Sequence, residues 1–266
     1  ASGHAQGCFA LTEPQAGSDA TNQHTLAVRD GDHYVLNGRK LFITTGREAS
    51  FALMFGQTDR TKGARGISAF VVEKGTPGFT VSKTEDKLGI RASDTAELVF
   101  DDCRVPAANR LGEEGLGFKI ALAAIDGGRI GIAAQALGIA AGAYERSLAY
   151  ARERKSFGVP IGHHQMVQWM LADMATGIEG ARLLTLRAAA LKDAGKPYRA
   201  AAAMAKLFAS ETAMRVTTDA IQVHGGYGYI RESEVERYFR DAKITQIYEG
   251  TSQIQKLVIA REVLGR

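Results

Sequence analysis

The hydrophobic period of this chain changes once, and that single change constrains the fold more than any other feature. Up to about Pro106 the sequence runs in short alternating stretches bounded by Gly, Pro or Asp, such as "ISAFVVE", "FTVSKTE" and "AELVFDDCRV". A side-chain period of two belongs to half-buried strands. Asp30-Gly31 and Asn37-Gly38, within "RDGDHYVLNGRKLFITTG", carry the two-residue hairpin signal, because a tight hairpin turn needs residues that tolerate positive φ. After "LGEEGLGF" the period becomes helical. One helix is predicted from about Phe118 to Arg154, a second from near His164, a third from near Arg199, and shorter ones after Ser233. The expected fold is α+β and multi-domain: an antiparallel β-barrel or sandwich over residues 1–108, then an α-helical bundle over residues 109–266. Met166, Met170, Met174 and Ile178, and likewise Met204, Leu207, Met214 and Ile221, keep helical spacing and are expected to fill the bundle core.

Composition excludes several functions. The net charge of +4 comes from basic residues that alternate with acidic ones in "YARERKSFG" and "RESEVERYFRDAK", with no run of one sign, so nucleic acid is not expected as a partner. Cys8 and Cys103 lie in unrelated contexts, HExxH is missing, and His163 and His164 are adjacent rather than a helical turn apart; no metal site is expected. "IGIAAQALGIAAGAY" comes nearest to a membrane span, but Gln135 and three glycines interrupt it, and Gly138-x-x-x-Gly142 reads as close helix packing. The chain opens at Ala1 without Met or a charged leader and reads like the middle of a longer protein.

The stretch "IYEGTSQIQ" places one carboxylate, Glu249, just before a helix. Ser252 and Gln255 have capping-box spacing, so the helix is predicted to begin there. Glu249 is then either a working carboxylate or an ordinary turn residue, and the stretch alone leaves both readings open. "VHGGYGY" contains the His224-Gly225-Gly226 of an oxyanion loop, yet the chain has no G-x-S-x-G elbow to go with it. No G-x-G-x-x-G follows a strand, so a Rossmann site is unsupported.

"CFALTEPQAGSDA", "LNGRKLFITTG", "GISAFVVEKGTPG", "DGGRIGIAAQALGIA", "ERKSFG", "QVHGGYGY" and "RDAKITQIYEGTSQIQKLVIARE" together resemble the acyl-CoA dehydrogenases, in order and along nearly the whole chain. The resemblance covers that family's middle β domain and C-terminal helical domain, not its N-terminal helical domain. It implies non-covalent FAD, oxidation of an acyl-CoA to the trans-2-enoyl-CoA in β-oxidation, and an electron-transfer flavoprotein as acceptor. It also implies a homo-oligomer, dimer or tetramer, in a bacterial cytoplasm or a mitochondrial matrix. Glu249 matches the catalytic base. Ser18, Asp126, Arg129 and Gly250 match substrate contacts. Phe9, Leu11, Thr12 and Ser18 match the β-domain flavin segment, and Phe42 and Thr44 match an aromatic–threonine pair against the flavin. Thr251 and Gln253 match further flavin contacts. Arg154, Ser156, Phe157, His164 and Gln165, with Gln222, Gly225 and Gly226, match the positions that bind the adenosine half of FAD from a neighbouring subunit. Gln15 stands where the family has glycine, and Phe42 where it has tryptophan.

The resembling chemistry is coherent. An α-proton beside a thioester is too weakly acidic for an unaided carboxylate, so the carbonyl must be polarised, in the family by the glutamate N–H and a ribityl hydroxyl. The base needs a raised pKa, which an apolar pocket supplies and a neighbouring arginine opposes. Two other readings retain the fold: a non-catalytic binding or assembly protein, and a related flavoprotein or nitroalkane oxidase. The chain-length expectation, short or branched acyl groups, rests on "DGGRIGIAAQALGIA".

Overall fold

A computed structural model describes residues 3–265. The chain divides into two compact units, Ala1–Lys87 with Arg91–Ala124, and Leu88–Ile90 with Ile125–Arg266.

The first unit is an eight-stranded sheet: β1 Gly7–Ala10, β2 Leu26–Asp30, β3 His33–Thr44, β4 Phe51–Gln57, β5 Ile67–Glu73, β6 Phe79–Thr84, β7 Thr95–Pro106 and β8 Arg110–Leu111. The spatial order is β6-β7-β3-β2-β4-β5-β8, with β1 on β4. Pairing is antiparallel except that β1 runs parallel to β4 and Leu26 of β2 pairs parallel with Gln57. Asp30-Gly31 opens a hairpin as expected: Asp30 pairs with His33, and Gly31 takes φ +62°.

Asn37-Gly38 makes no hairpin, and the reason lies in β7. The strand β3 runs straight through this dipeptide. Opposite it, Leu36 pairs with Cys103 and Gly38 with Phe100, so β7 carries one extra residue. Asp102 takes φ +47° at that bulge, and the Asn37 amide donates to Asp102 Oδ1 (3.0 Å) while Asn37 Oδ1 accepts from Asp102 N (2.8 Å). Gly38 is required for a different reason: a Cβ there would lie 2.4 Å from Thr25 Oγ1. A second bulge compensates on β3, where Lys40 pairs with Leu98 and Ile43 with Ala96. Phe42 sits in it with φ +58°. A bulge shifts the two-residue phase. Tyr34, Leu36 and Lys40 therefore face the core before it and Ile43 after it, while Phe42 is turned outward, 63% exposed. Phe55 and Phe70 are fully buried in this unit, each contributing roughly 1.5–3 kcal/mol.

The second unit is helical: α1 Gly117–Glu153, whose first turns belong to the β unit, then α2 Gln165–Asp193, α3 Arg199–His224, α4 Val235–Ile244 and α5 Ser252–Val263. Between α1 and α2 a small hairpin pairs β9 Lys155–Ser156 with β10 Val159–Pro160. Phe157 and Gly158 form its tip with φ +48° and +84°. The core is built on alanine: Ala133, Ala136, Ala140 and Ala143 of α1 and Ala202, Ala205, Ala209 and Ala213 of α3 belong to one buried cluster with Met174 and Ile178. The methionine stripes therefore hold the core only in part. Met174 and Ile178 are buried, but Met166 is 62% exposed, and Met170, Met204, Leu207, Met214 and Ile221 are half-buried flanks. Small side chains let helix axes approach, which moves the longer ones to the rim. Gly142 packs closely, a Cβ there reaching 3.0 Å from the Tyr238 ring, whereas Gly138 has nothing within 4 Å. Contrary to the sequence reading, α1 is long and apolar enough, by length and composition, to cross a membrane, the one such helix among the described residues. Leu88–Ile90 lies on α4: Arg240 donates to Leu88 O (3.0 Å) and Ile90 N to Asp241 Oδ1 (2.6 Å).

Candidate active site

The segment between α4 and α5 folds back on itself through its own backbone. Ile247 N and Tyr248 N donate to Ile244 O, and Ser252 N donates to Gln246 O (2.9 Å). Closing that loop puts two consecutive residues at positive φ, Glu249 at +54° and Gly250 at +85°. A non-glycine residue in this region is strained, which makes Glu249 an uncommon choice for a turn. The helix cap differs from the expected one. Thr251 is the N-cap, its hydroxyl accepting from Ile254 N (3.3 Å), so Ser252 is already helical. Gln255, freed from capping, turns inward and donates to Glu249 O (3.1 Å) and Gly250 O (2.8 Å).

Three helices of the same unit surround this turn. From α1, Gly128 lies so close that a Cβ would sit 2.7 Å from Glu249 Oε2. From α3, the fully buried Lys206 donates from Nζ to Gly250 O (2.7 Å). Burial pushes the Glu249 carboxyl above the usual carboxylate range, against the opposing pull of Arg129 and Lys206. Burial brings Lys206 down to about 8, opposed by Glu249 and assisted by Arg129. Arg129 is itself buried and held by Asp126 (2.7 Å), which also takes Arg199 Nε (3.0 Å). Arg129 Nε, Ser252 Oγ and Gln255 Oε1 are buried and have no hydrogen-bond partner among the described residues, so the site retains polar capacity that these residues do not use. Tyr248 donates to Gln135 on α1.

A second group of residues gathers at the far ends of α1 and α3. A cavity of about 490 Å³ is lined by Arg154, Gly225 and Gly226, with Tyr150, His224 and Tyr227 among its walls. The Arg154 guanidinium lies 5.6 Å from the Tyr227 ring centroid. Gly225 takes φ +60°, and nothing lies within 4 Å of a Cβ on either glycine. Beside it Ser156 Oγ meets His164 Nε2 (2.9 Å), and Phe157 at the hairpin tip is 97% exposed, edge-on to the His164 ring. Gln165 starts α2, Gln222 is exposed on the last turn of α3, and Gln253 is exposed on the first turn of α5; none of the three lines this cavity.

Within the β unit, Leu11 and Thr12 are tied to β3, since Leu41 N donates to Thr12 O (2.8 Å) and Lys40 Nζ to Leu11 O (3.2 Å). Phe9 packs on Phe55, while Ser18, Phe42 and Thr44 are exposed. The framework beneath is a buried ion pair, Lys40–Glu13 at 2.7 Å. Glu13 also accepts from His24 N and Thr25 N. Gln15, in the position of the family glycine, donates to Glu13 Oε2 (2.7 Å) and so joins that framework.

Sequence reasoning passed over Lys206, Gly128 and the Lys40–Glu13 pair. Lys206 had a legible signal: in an alanine-dense helix it falls on the same face as Ala202, Ala209 and Ala213, at i−4, i+3 and i+7. A lone lysine on a core stripe is either an error of the pattern or a buried ammonium with a task.

Residues 8–103 match the family described as "Acyl-CoA dehydrogenase, middle domain", and residues 115–264 match "Acyl-CoA dehydrogenase, C-terminal domain". The chain is 57% identical over 263 residues to the short-chain specific acyl-CoA dehydrogenase of Clostridium acetobutylicum, covering 99% of this chain and 69% of that protein. Among solved structures it is similar to butyryl-CoA dehydrogenase from Megasphaera elsdenii, with TM-score 0.97, 54% identity, and coverage of 98% of this chain and 68% of that one. It is equally similar to a chain in a structure described as the electron transferring flavoprotein of Acidaminococcus fermentans, with TM-score 0.97, 57% identity, and coverage of 98% and 69%. The chain thus spans about two thirds of the length of these relatives.

Proposed function

Because this chain belongs to the acyl-CoA dehydrogenase family, we propose that it oxidises a short-chain acyl-CoA to the trans-2-enoyl-CoA, with Glu249 removing the α-proton. The observation that carries this reading is the Glu249 carboxylate, half-buried in the helical unit and raised in pKa by its desolvation there. A base poised above the ordinary carboxylate range holds more driving force for an α-proton at neutral pH. Arg129 and Lys206 limit the rise, so Glu249 remains ionisable. We assign the Glu249 N–H, on the strained backbone at φ +54° beside the slim Gly250, as a donor to the thioester oxygen. Asp126, fixed between Arg129 and Arg199, then serves to hold Arg129 at the substrate.

The residues present fit FAD. Arg154 at the rim of an open cavity over two uncrowded glycines suits a pyrophosphate, because a guanidinium bonds phosphate oxygens in pairs. In the β unit the outward-turned Phe42 offers an aromatic face, and Thr12 and Thr44 offer hydroxyls. FAD, when bound, supplies the acceptor for the β-hydrogen. The name of the Acidaminococcus structure supports an electron-transfer flavoprotein as redox partner. The matched adenosine positions support a homo-oligomer, and the reading places the protein in a bacterial cytoplasm or a mitochondrial matrix.

The test is anaerobic mixing of FAD-loaded protein with butyryl-CoA. The parent should bleach the flavin band, and Glu249→Gln should do so at least about a hundredfold more slowly while still binding FAD. Equal rates would return Glu249 to the role of a turn residue. Rapid reoxidation of the reduced protein by oxygen would favour an oxidase instead.

A further inference from the structure

We propose that Lys206 is the positioning residue of this site: its buried ammonium clamps the Gly250 carbonyl and thereby holds the Glu249 carboxylate in its working orientation. The inference rests on Glu249 being the base and adds a residue that acts through it.

The geometry singles out Lys206. Its Nζ reaches Gly250 O at 2.7 Å, and the same carbonyl accepts from Gln255 Nε2 at 2.8 Å. Two donors from two helices, α3 and α5, thus converge on the carbonyl of the residue that follows Glu249. Gln255 adds a bond to Glu249 O, so the positive-φ pair, strained at Glu249, is held at both carbonyls. A turn that stores strain keeps its shape only when its surroundings over-determine it. Removing the Lys206 donor leaves the Gly250 carbonyl to Gln255 alone and frees the turn to relax, and the carboxylate swings with it.

A neutral donor would suffice for the hydrogen bond alone, so the charge calls for its own explanation. Lys206 lies fully buried on the alanine face of α3, where an ammonium is costly to keep. Among the described residues no carboxylate forms an ion pair with it, and its attraction is to Glu249 at longer range. The charged groups that face Glu249 are Arg129 from α1, backed by Asp126, and Lys206 from α3, with Arg199 behind Asp126 and the Tyr248 phenol next in the chain. Arg129 is committed to Asp126. Lys206 is the cation whose field on Glu249 is shared with no other acid, and it gives up its proton at about 8. It therefore links the placing of the base to its ionisation.

The experiment uses FAD-loaded protein carrying Lys206→Met, Lys206→Arg or Glu249→Gln. Methionine keeps the volume and loses both donor and charge, so the fold is retained. Flavin bleaching by butyryl-CoA should slow at least about tenfold in Lys206→Met, with KM for butyryl-CoA changed much less than kcat. Independently of turnover, pH-difference infrared spectra identify the Glu249 carboxyl as the band lost in Glu249→Gln. Its protonation midpoint should rise by about one unit in Lys206→Met, since an opposite charge has been removed. Lys206→Arg, which restores charge and donor, should recover the midpoint and part of the rate. Parent-like rate and midpoint in Lys206→Met would overturn the inference while leaving Glu249 as the base. Equal bleaching by parent and Glu249→Gln would overturn the base itself, and an unmoved infrared midpoint would then remove Lys206 from the site altogether.

Discussion

Gly128 owes its place in the middle of α1 to Glu249: a Cβ at Gly128 would stand 2.7 Å from the Glu249 Oε2 atom and 3.2 Å from Cδ. Glycine inside a helix costs about 1 kcal/mol relative to alanine. Gly128→Ala should therefore leave the helix as stable as before or more so, while pushing the carboxylate off its position. A displacement of about 1 Å at a reacting group can cost about a hundredfold. Anaerobic stopped-flow reduction by butyryl-CoA should fall roughly ten- to a hundredfold, with the thermal midpoint unchanged or raised. A parent-like rate would mean that the carboxylate works from some other orientation.

The raised Glu249 pKa also predicts a stability effect. A carboxyl whose folded pKa lies above its unfolded value binds more protons when folded, so stability falls as pH rises between the two. The full contribution is present below the unfolded value and is lost as pH passes the folded one. Glu249→Gln removes the need to ionise a half-buried, desolvated acid. Its melting temperature should exceed that of the parent above the folded pKa, and the gap should close as the pH is lowered toward 4. A gap that widened on acidification would reverse the sign and place Glu249 in a stabilising ion pair.

Both units were legible because period is local information. Alternation marks strands and the 3.6-residue repeat marks helices, and α1 begins one residue from its expected start, at Gly117. What escaped depends on pairs distant in sequence. Asn37-Gly38 reads as a hairpin until β7 supplies the Asp102 bulge opposite it. Ser252 reads as a cap until the loop closes and leaves that task to Thr251. Glu249 and Arg129 were found through a resemblance, whereas Lys206, 43 positions before Glu249, could be found only by asking why a core stripe carries a charge. The methionine stripes misled because helical spacing was taken as a sign of burial, when alanine allows the closest helix contacts.

A buried ion pair lies beneath the "LTEPQAGS" segment. Lys40 is fully buried, 2.7 Å from Glu13 Oε1, and also reaches Leu11 O and Gln23 Oε1. Burial works to raise the Glu13 carboxyl, but Lys40 and the amides of His24 and Thr25 bring it below its ordinary value. That stabilisation is present above the unfolded carboxylate pKa and is lost as pH falls through the folded one. Lys40→Met would leave Glu13 buried and uncompensated, the more damaging way to break such a pair, costing about 3–5 kcal/mol. The double variant Lys40→Met with Glu13→Leu removes both charges and should recover most of that loss, though it leaves the His24 and Thr25 amides without their acceptor. Urea unfolding followed by tryptophan-independent circular dichroism, at pH 7 and at pH 4, measures all three proteins. The single variant should lose less at pH 4, where Glu13 can take up a proton once its ammonium is gone. If Lys40→Met were as stable as the parent at pH 7, the segment that carries Leu11 and Thr12 would be held by its backbone bonds to β3 and not by this ion pair.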